Sequence, residues 1–285
     1  ASAVARVFAV KGRPADHPLI AHVLDAEAAR AWASAVPQYA TALMDEYWPG
    51  PLTLVLPRSD IAADYITGGQ DTVALRVPGS PITREVLRAL CSLRDDPTAA
   101  IAAPSANRFG RVSPTTAQHA IEELGELLDS GDVVLDAGPC SVGVESTIVD
   151  CTGDRPVLLR PGKVTAEQVE HATGLTLAAS SSVRAPGTLA AHYSPHATVQ
   201  VVSETDLESL TADATVGVIA LAQVPTPSGA VRLTAPPTIE EYAACLYRAL
   251  READSMNLSA VIAVAPEGAG LAHAIRDRLE RAAAG

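Results

Sequence analysis

The sequence predicts an α/β protein of two unequal domains joined by a linker, and three observations carry that prediction. Short apolar runs alternate with amphipathic helical patterns along most of the chain. The pattern breaks over residues 178–198, "AASSSVRAPGTLAAHYSPHAT", where small residues, Pro and Gly read as a linker. The 285 residues, 48% of them apolar, are enough for two cores. The domains are expected at residues 1–177 and 199–285.

Residues 2–10 read as a helix without a cap. "PLIAHV" reads as a strand, and 25–35 and 37–47 as helices, the second stopped by "WPGP". "LTLVLP" and "TVALRVP" are strands. Ser80 caps a helix with Pro81 at its first position, and Ile82, Val86, Leu87 and Leu90 share one face. After the strand "AAIAAP", Ser113-Pro114 repeats the cap-then-proline device, with Ala117, Ile121 and Leu124 as the buried stripe. "VVLD", "STIVDC" and "VLLRP" are further strands, and Thr165 with Gln168 forms a capping box. In the second domain "TVGVIAL", a helix capped at Thr238 with Glu241, "AVIAVA" and a helix from Gly270 make a small Rossmann-like β-α-β-α unit. Its Gly268 and Gly270 fit a tight strand-to-helix turn better than a nucleotide loop.

The formal net charge of −12, from 33 acidic and 21 basic residues, disfavours broad binding to nucleic acids or anionic membranes, so little direct nucleic-acid binding is expected. Any local cluster of Lys and Arg becomes more informative. Cys91, Cys140, Cys151 and Cys245 form no C-x-x-C pair, which reads as buried thiols in a reducing compartment. No window is apolar enough to span a bilayer, and Arg6 interrupts the first apolar stretch, so the reading is a soluble cytoplasmic protein.

In an extended segment, residues two apart share a side. On that rule Lys11 and Arg13 of "KGRP" point together. Pro18, Ile20 and His22 oppose Leu19, Ala21 and Val23. Thr72, Ala74 and Arg76 oppose the core residues Val73, Leu75 and Val77, and Ser105 and Asn107 share a side after Pro104. Several strands thus offer one apolar face and one face of small, polar or cationic residues. Assembled in a sheet, with Arg160 at a strand end, they make a cationic concavity suited to a polyphosphate. Each residue alone has a plainer reading: solvated charge, an N-cap at Ser113, an Asx turn at Asn107, a half-buried His22. His192 and His196 have metal-like spacing, but Pro195 between them argues against a helical site. Agreement among the segments favours the ligand reading.

Six segments in one order, "KGRPADHPLIAHV", "YWPGPLTLVL", "DTVALRVP", "APSANRFGRVSPTTA", "VGVESTIVD" and "LLRPG", resemble the YrdC-like catalytic domain. With "APGTLAAHYSP" and the C-terminal unit, nearly the whole chain resembles the long, two-domain L-threonylcarbamoyladenylate synthases. The resemblance implies a YrdC-like twisted mixed sheet around a concave cavity. It implies synthesis of L-threonylcarbamoyl-AMP and pyrophosphate from L-threonine, bicarbonate and ATP, and a downstream threonylcarbamoyl transferase complex that modifies tRNA. Lys11 and Arg13 of K-x-R, with Ser105 and Asn107 of S-x-N, carry the catalytic role. Arg13, His17, Thr72, Ser105, Ser113, Arg160 and Tyr193 contact ATP. His22, Arg76, Ser146 and the Ala103 backbone bind threonine. His192 and Tyr193 belong to a linker lid over the nucleotide. Magnesium is expected on the ATP phosphates, with no protein side chain as its ligand. His17 stands where the family commonly has Asn. Alternatives are a carbamoyltransferase of the same fold and a non-catalytic RNA- or nucleotide-binding module.

The family's opening strand and turn, of the type Pro-Thr-Glu-Thr-x-Tyr-Gly-Leu, is not in this sequence, which starts in the helix after it. Because loss of that strand would leave an open sheet edge, the segment is expected to precede Ala1.

Overall fold

The computed structural model describes residues 1–207 and 209–285. In chain order the elements are α1 (Ser2–Lys11), β1 (Ile20–His22), α2 (Ala26–Trp32), α3 (Gln38–Tyr47), β2 (Leu52–Pro57), α4 (Asp64–Thr67), β3 (Thr72–Arg76), α5 (Pro81–Arg94), β4 (Ile101–Ala102) and α6 (Ala117–Leu124). They continue with β5 (Thr147–Asp150), β6 (Val157–Arg160), α7 (Ala166–Thr173), β7 (Thr198–Val202), α8 (Glu204–Ser209), β8 (Val216–Ile219), β9 (Val231–Thr234), α9 (Ile239–Ser255), β10 (Ala260–Val264) and α10 (Leu271–Ala283).

The chain folds into two compact units, residues 1–104 with 145–188, and residues 105–144 with 189–285. The division expected from chain order differs: 105–144 clusters with the C-terminal body, and the linker segment is shared between the units. Val112 and Val144 enter the same apolar cluster as Tyr242, Leu246 and Leu250 of α9, and that burial outweighs sequence order.

The first unit holds a mixed sheet in the order β4-β1-β3-β2-β5-β6. Its alternation is as expected. Ala21, Val23, Leu52, Leu54, Leu56, Val73, Leu75 and Val149 form one core with Trp32, Leu43, Met44 and Val169. On the opposite face Ile20, Val55, Ala74 and Ile148 make a smaller cluster with Ala185, and β1 pairs with β3 so that His22 lies beside Arg76. Ser80 accepts from the Thr83 amide, and the Thr165–Gln168 capping box forms as read.

The second unit holds a parallel sheet, order β7-β10-β8-β9. Three of its elements, β7, α8 and β9, go beyond the β-α-β-α unit expected from the sequence. β7 and β9 are no shorter than β10 and β8, but Gln200 and Arg232 interrupt their apolar runs, which weakens the strand pattern.

Three local readings are corrected. The cap of α6 is Thr116, whose hydroxyl accepts from the His119 amide; Ser113 lies before it. Ile82 and Ile121 are exposed, so the buried stripes of α5 and α6 are narrower than expected. "VVLD" forms no strand: Asp129 accepts from the Gly131 amide and Asp136 from the Gly138 amide, two turns that leave Val133 and Leu135 in solvent. Among the described residues, no helix is long and apolar enough to cross a membrane.

Candidate active site

Within the first unit, the polar face of the sheet gathers His22, Arg76, Ser146 and Arg160. Neighbouring parallel strands place His22 opposite Arg76. His22 is buried, and its Nδ1 has no hydrogen-bond partner. Burial, with Arg76 second, lowers its pKa to about 4, so the imidazole is neutral at neutral pH. Arg76 Nε donates to the Gly50 carbonyl at 2.9 Å. Burial and the charge of Arg160 lower the Arg76 pKa to about 10. It remains a cation, and among the described residues no carboxylate stands within ion-pair distance of it.

Ser146 is the hub beside it. Its hydroxyl lies 2.7 Å from that of Thr53 and accepts from Arg160 Nη2 at 3.0 Å. Its carbonyl accepts from Arg160 Nε at 3.0 Å and Nη2 at 2.8 Å. Thr53 joins this candidate site through Ser146, and sequence reasoning missed it. Its signal was a lone hydroxyl in "LTLVLP", placed by alternation opposite Leu52 and Leu54. The Ala103 amide donates to the Ile20 carbonyl at 3.2 Å, so a ligand contact at that backbone falls to its own carbonyl.

The K-x-R segment is not extended, which corrects the expectation of two parallel side chains. Lys11 closes α1 and is buried, and Gly12 (φ 62) ends the helix in the left-handed conformation that glycine accepts without strain. Arg13 Nη2 then donates to the Pro18 carbonyl at 2.9 Å, and burial lowers its pKa to about 10. His17 lies on the same loop. Burial, Arg13 and Arg184 lower its pKa, and Asp16 opposes them. Thr72 opens β3, partly buried, on the Arg76 side of the strand.

Within the second unit the chain bends after Pro104. Ser105 is exposed and Asn107 buried, so they do not share a side. Asn107 Nδ2 donates to the Arg108 and Arg111 carbonyls, both at 2.8 Å. Ser113 is buried, and its carbonyl accepts from Arg251 Nε at 3.4 Å. Tyr193, expected in a lid, has φ 64 and is 1% exposed. Its ring stacks on Tyr247 with centroids 5.3 Å apart, meets His192 edge-on at 4.0 Å and lies 5.3 Å from the Arg278 guanidinium carbon. It is a packed core residue of its own unit. Among the described residues, no three His, Cys, Asp or Glu side chains are placed to hold a metal ion.

Residues 1–162 match the family model described as "Telomere recombination", which spans the Sua5, YciO and YrdC proteins. Residues 164–284 match the model described as "Threonylcarbamoyl-AMP synthase, C-terminal domain". The chain is 38% identical to the threonylcarbamoyl-AMP synthase of Pyrococcus abyssi and 34% identical to that of Bacillus subtilis. Each alignment covers 99% of this chain and 84% of the relative. The crystal structure of P. abyssi Sua5 complexed with L-threonine superposes with a TM-score of 0.86 at 37% identity, covering 99% of this chain and 84% of that one. A solved P. abyssi Sua5 variant with a His and the following Tyr changed to Ala gives a TM-score of 0.85 at 36% identity, covering 99% of this chain and 83% of that one. A mixed sheet with one cationic face, followed by a parallel α/β body, accords with both matches, and the chain belongs to the threonylcarbamoyl-AMP synthase family.

Proposed function

We propose that the polar face of the first unit binds L-threonine and that the Arg13–Pro18 loop binds the phosphates of ATP. The reaction is the synthesis of threonylcarbamoyl-AMP and pyrophosphate from L-threonine, bicarbonate and ATP. The observation that carries the threonine assignment is Arg76: a largely buried guanidinium without a carboxylate beside it, flanked by a neutral imidazole and a hydroxyl hub. An amino-acid carboxylate supplies the missing counter-charge, and a fork-shaped cation orients it.

The threonine amine adds to the carbon of bicarbonate-derived carbon dioxide and loses a proton, giving a carbamate. A carbamate oxygen attacks the α-phosphorus, and pyrophosphate leaves. No protein nucleophile is required, so the chain contributes by holding two anions in register and offsetting their charge. Arg76, His22, Ser146 and the Ala103 carbonyl hold threonine; Arg13, His17, Thr72 and Arg160 serve the nucleotide, and Lys11 completes the K-x-R pair. Ser105, Asn107 and Ser113 keep the nucleotide roles that the family resemblance implies, whereas His192 and Tyr193, packed on each other and on Tyr247, are not placed as a lid. The donors on the sheet face suit an anion rather than a divalent cation. Magnesium carried on the triphosphate would screen its charge, with no side chain of this chain proposed as its ligand. A partner transferase then passes the threonylcarbamoyl group to tRNA.

The test is pyrophosphate release from ATP with threonine and bicarbonate omitted in turn. Release that needs both is expected. Release independent of threonine would overturn the assignment of the Arg76 face.

A further inference from the structure

Residues 181–188 form no helix or strand, yet they are stitched to the first unit at several points. The Ser181 hydroxyl donates to Asp150 Oδ2 at 2.5 Å. The Gln70 amide pairs both ways with the Arg184 backbone, accepting from its N–H at 2.8 Å and donating to its carbonyl at 3.0 Å. Ala185 is buried against Ile20, Val55, Ala74 and Ile148.

The Arg184 side chain does something different. Nη2 donates to the Gly68 carbonyl at 2.9 Å and Nη1 to the Asp16 carbonyl at 3.1 Å, with Asp16 Oδ2 at 3.5 Å. One planar fork therefore joins two loops. One carries Arg13 and His17; the other leads into Thr72. The loops touch already: a Cβ on Gly68 (φ +61) would lie 2.3 Å from the Asp16 carbonyl oxygen, so only glycine permits this approach. The ion pair with Asp16 is half-exposed and contributes little by itself. The paired carbonyl contacts are what a lysine cannot reproduce.

We propose that Arg184 is a positioning residue for the nucleotide side of the reaction, tying the 13–18 loop to the 67–70 turn so that Arg13 and His17 keep the geometry that meets the triphosphate. This rests on the nucleotide role proposed above for that loop. It assigns the first part of the linker a task of its own within the first unit.

Arg184→Met, Arg184→Lys and Asp16→Asn in the full chain test it. Initial rates of pyrophosphate release are read together with hydrogen exchange at amides 15–17. Arg184→Met is expected to raise KM for ATP about tenfold, to leave KM for threonine unchanged and to speed exchange at 15–17. Arg184→Lys keeps the charge beside His17, so the His17 NMR titration stays near wild type, but the KM defect remains. In Arg184→Met that titration moves up, because a repelling cation is gone. Asp16→Asn keeps both carbonyl contacts and is expected to leave both KM values and the exchange at 15–17 as in wild type, while the His17 titration moves down because a carboxylate that favours its protonation is gone. Unchanged KM for ATP and unchanged exchange in Arg184→Met would overturn the proposal, as would full rescue by Lys. If exchange rises while ATP dependence does not change, the staple stands and the nucleotide reading of the loop fails.

Discussion

The two sheets put the same alternation of side chains to different uses. In the parallel sheet both faces are apolar: Val199, Ile219, Val261 and Ala263 pack on one side, Val218, Ala220, Ile262 and Val264 on the other. A sheet buried in this way supports a body and leaves no face for a charged ligand. The mixed sheet of the first unit buries one face and gives the other to His22, Thr53, Thr72 and Arg76 among a few aliphatic residues. Chemistry collects where alternation puts polar groups on one side of several adjacent strands.

The contrast can be broken, most sharply at Arg76. Arg76→Gln is expected to lower kcat/KM for threonine about a thousandfold while KM for ATP stays within about twofold, since a buried counter-charge for the substrate is lost. Steady-state pyrophosphate release with each substrate varied measures it; normal threonine use would place the carboxylate elsewhere. Next come the apolar faces. Leu54→Ala in the mixed sheet and Ile262→Ala in the parallel one are each expected to cost about 3 kcal/mol in urea unfolding, because both side chains are buried. A much smaller cost for Ile262→Ala would mean that the second face of the parallel sheet is not a core.

Protonation tests the polar face without touching its packing. The His22 pKa is about 4 in the folded chain against 6.5 when exposed. Between these values the unfolded state binds more protons, so stability rises with pH across this window and is lost as pH falls through it. The loss reaches about 3 kcal/mol below pH 4. His22→Asn should flatten that part of the stability–pH curve; an unchanged curve would place the acid-sensitive group elsewhere. The smallest effect is expected at Thr53→Val, about 1 kcal/mol, because Ser146 keeps its bonds to Arg160 when the Thr53 hydroxyl is removed.

Much of the site is legible in the sequence, and particular residues show why. Period-two alternation in "TVALRV" separates Val73 and Leu75 from Thr72 and Arg76, and the pairing of β1 with β3 sets His22 beside Arg76. The same rule fails at "KGR" and "SAN", where it assumes an extended backbone. Lys11 is the last residue of a helix, and Asn107 sits in a bend that its own amide closes. Ser113 loses the cap to Thr116 because two hydroxyl residues compete for one helix start. Thr53 and Arg184 escape a reading of the sequence because each matters through a partner far along the chain, Ser146 and Asp16 respectively.

The sequence by itself determined the α/β class, most of the element order, the caps at Ser80 and Thr165, and the faces of β1 and β3 in the mixed sheet. These depend on local propensity and periodicity, which are written over a few residues. Tertiary structure alone decided that residues 105–144 cluster with the C-terminal body, that the Tyr193 ring is packed, and that Arg184 joins two loops. Those outcomes turn on burial and hydrogen bonds between residues dozens to more than a hundred positions apart, and no local pattern encodes such a meeting.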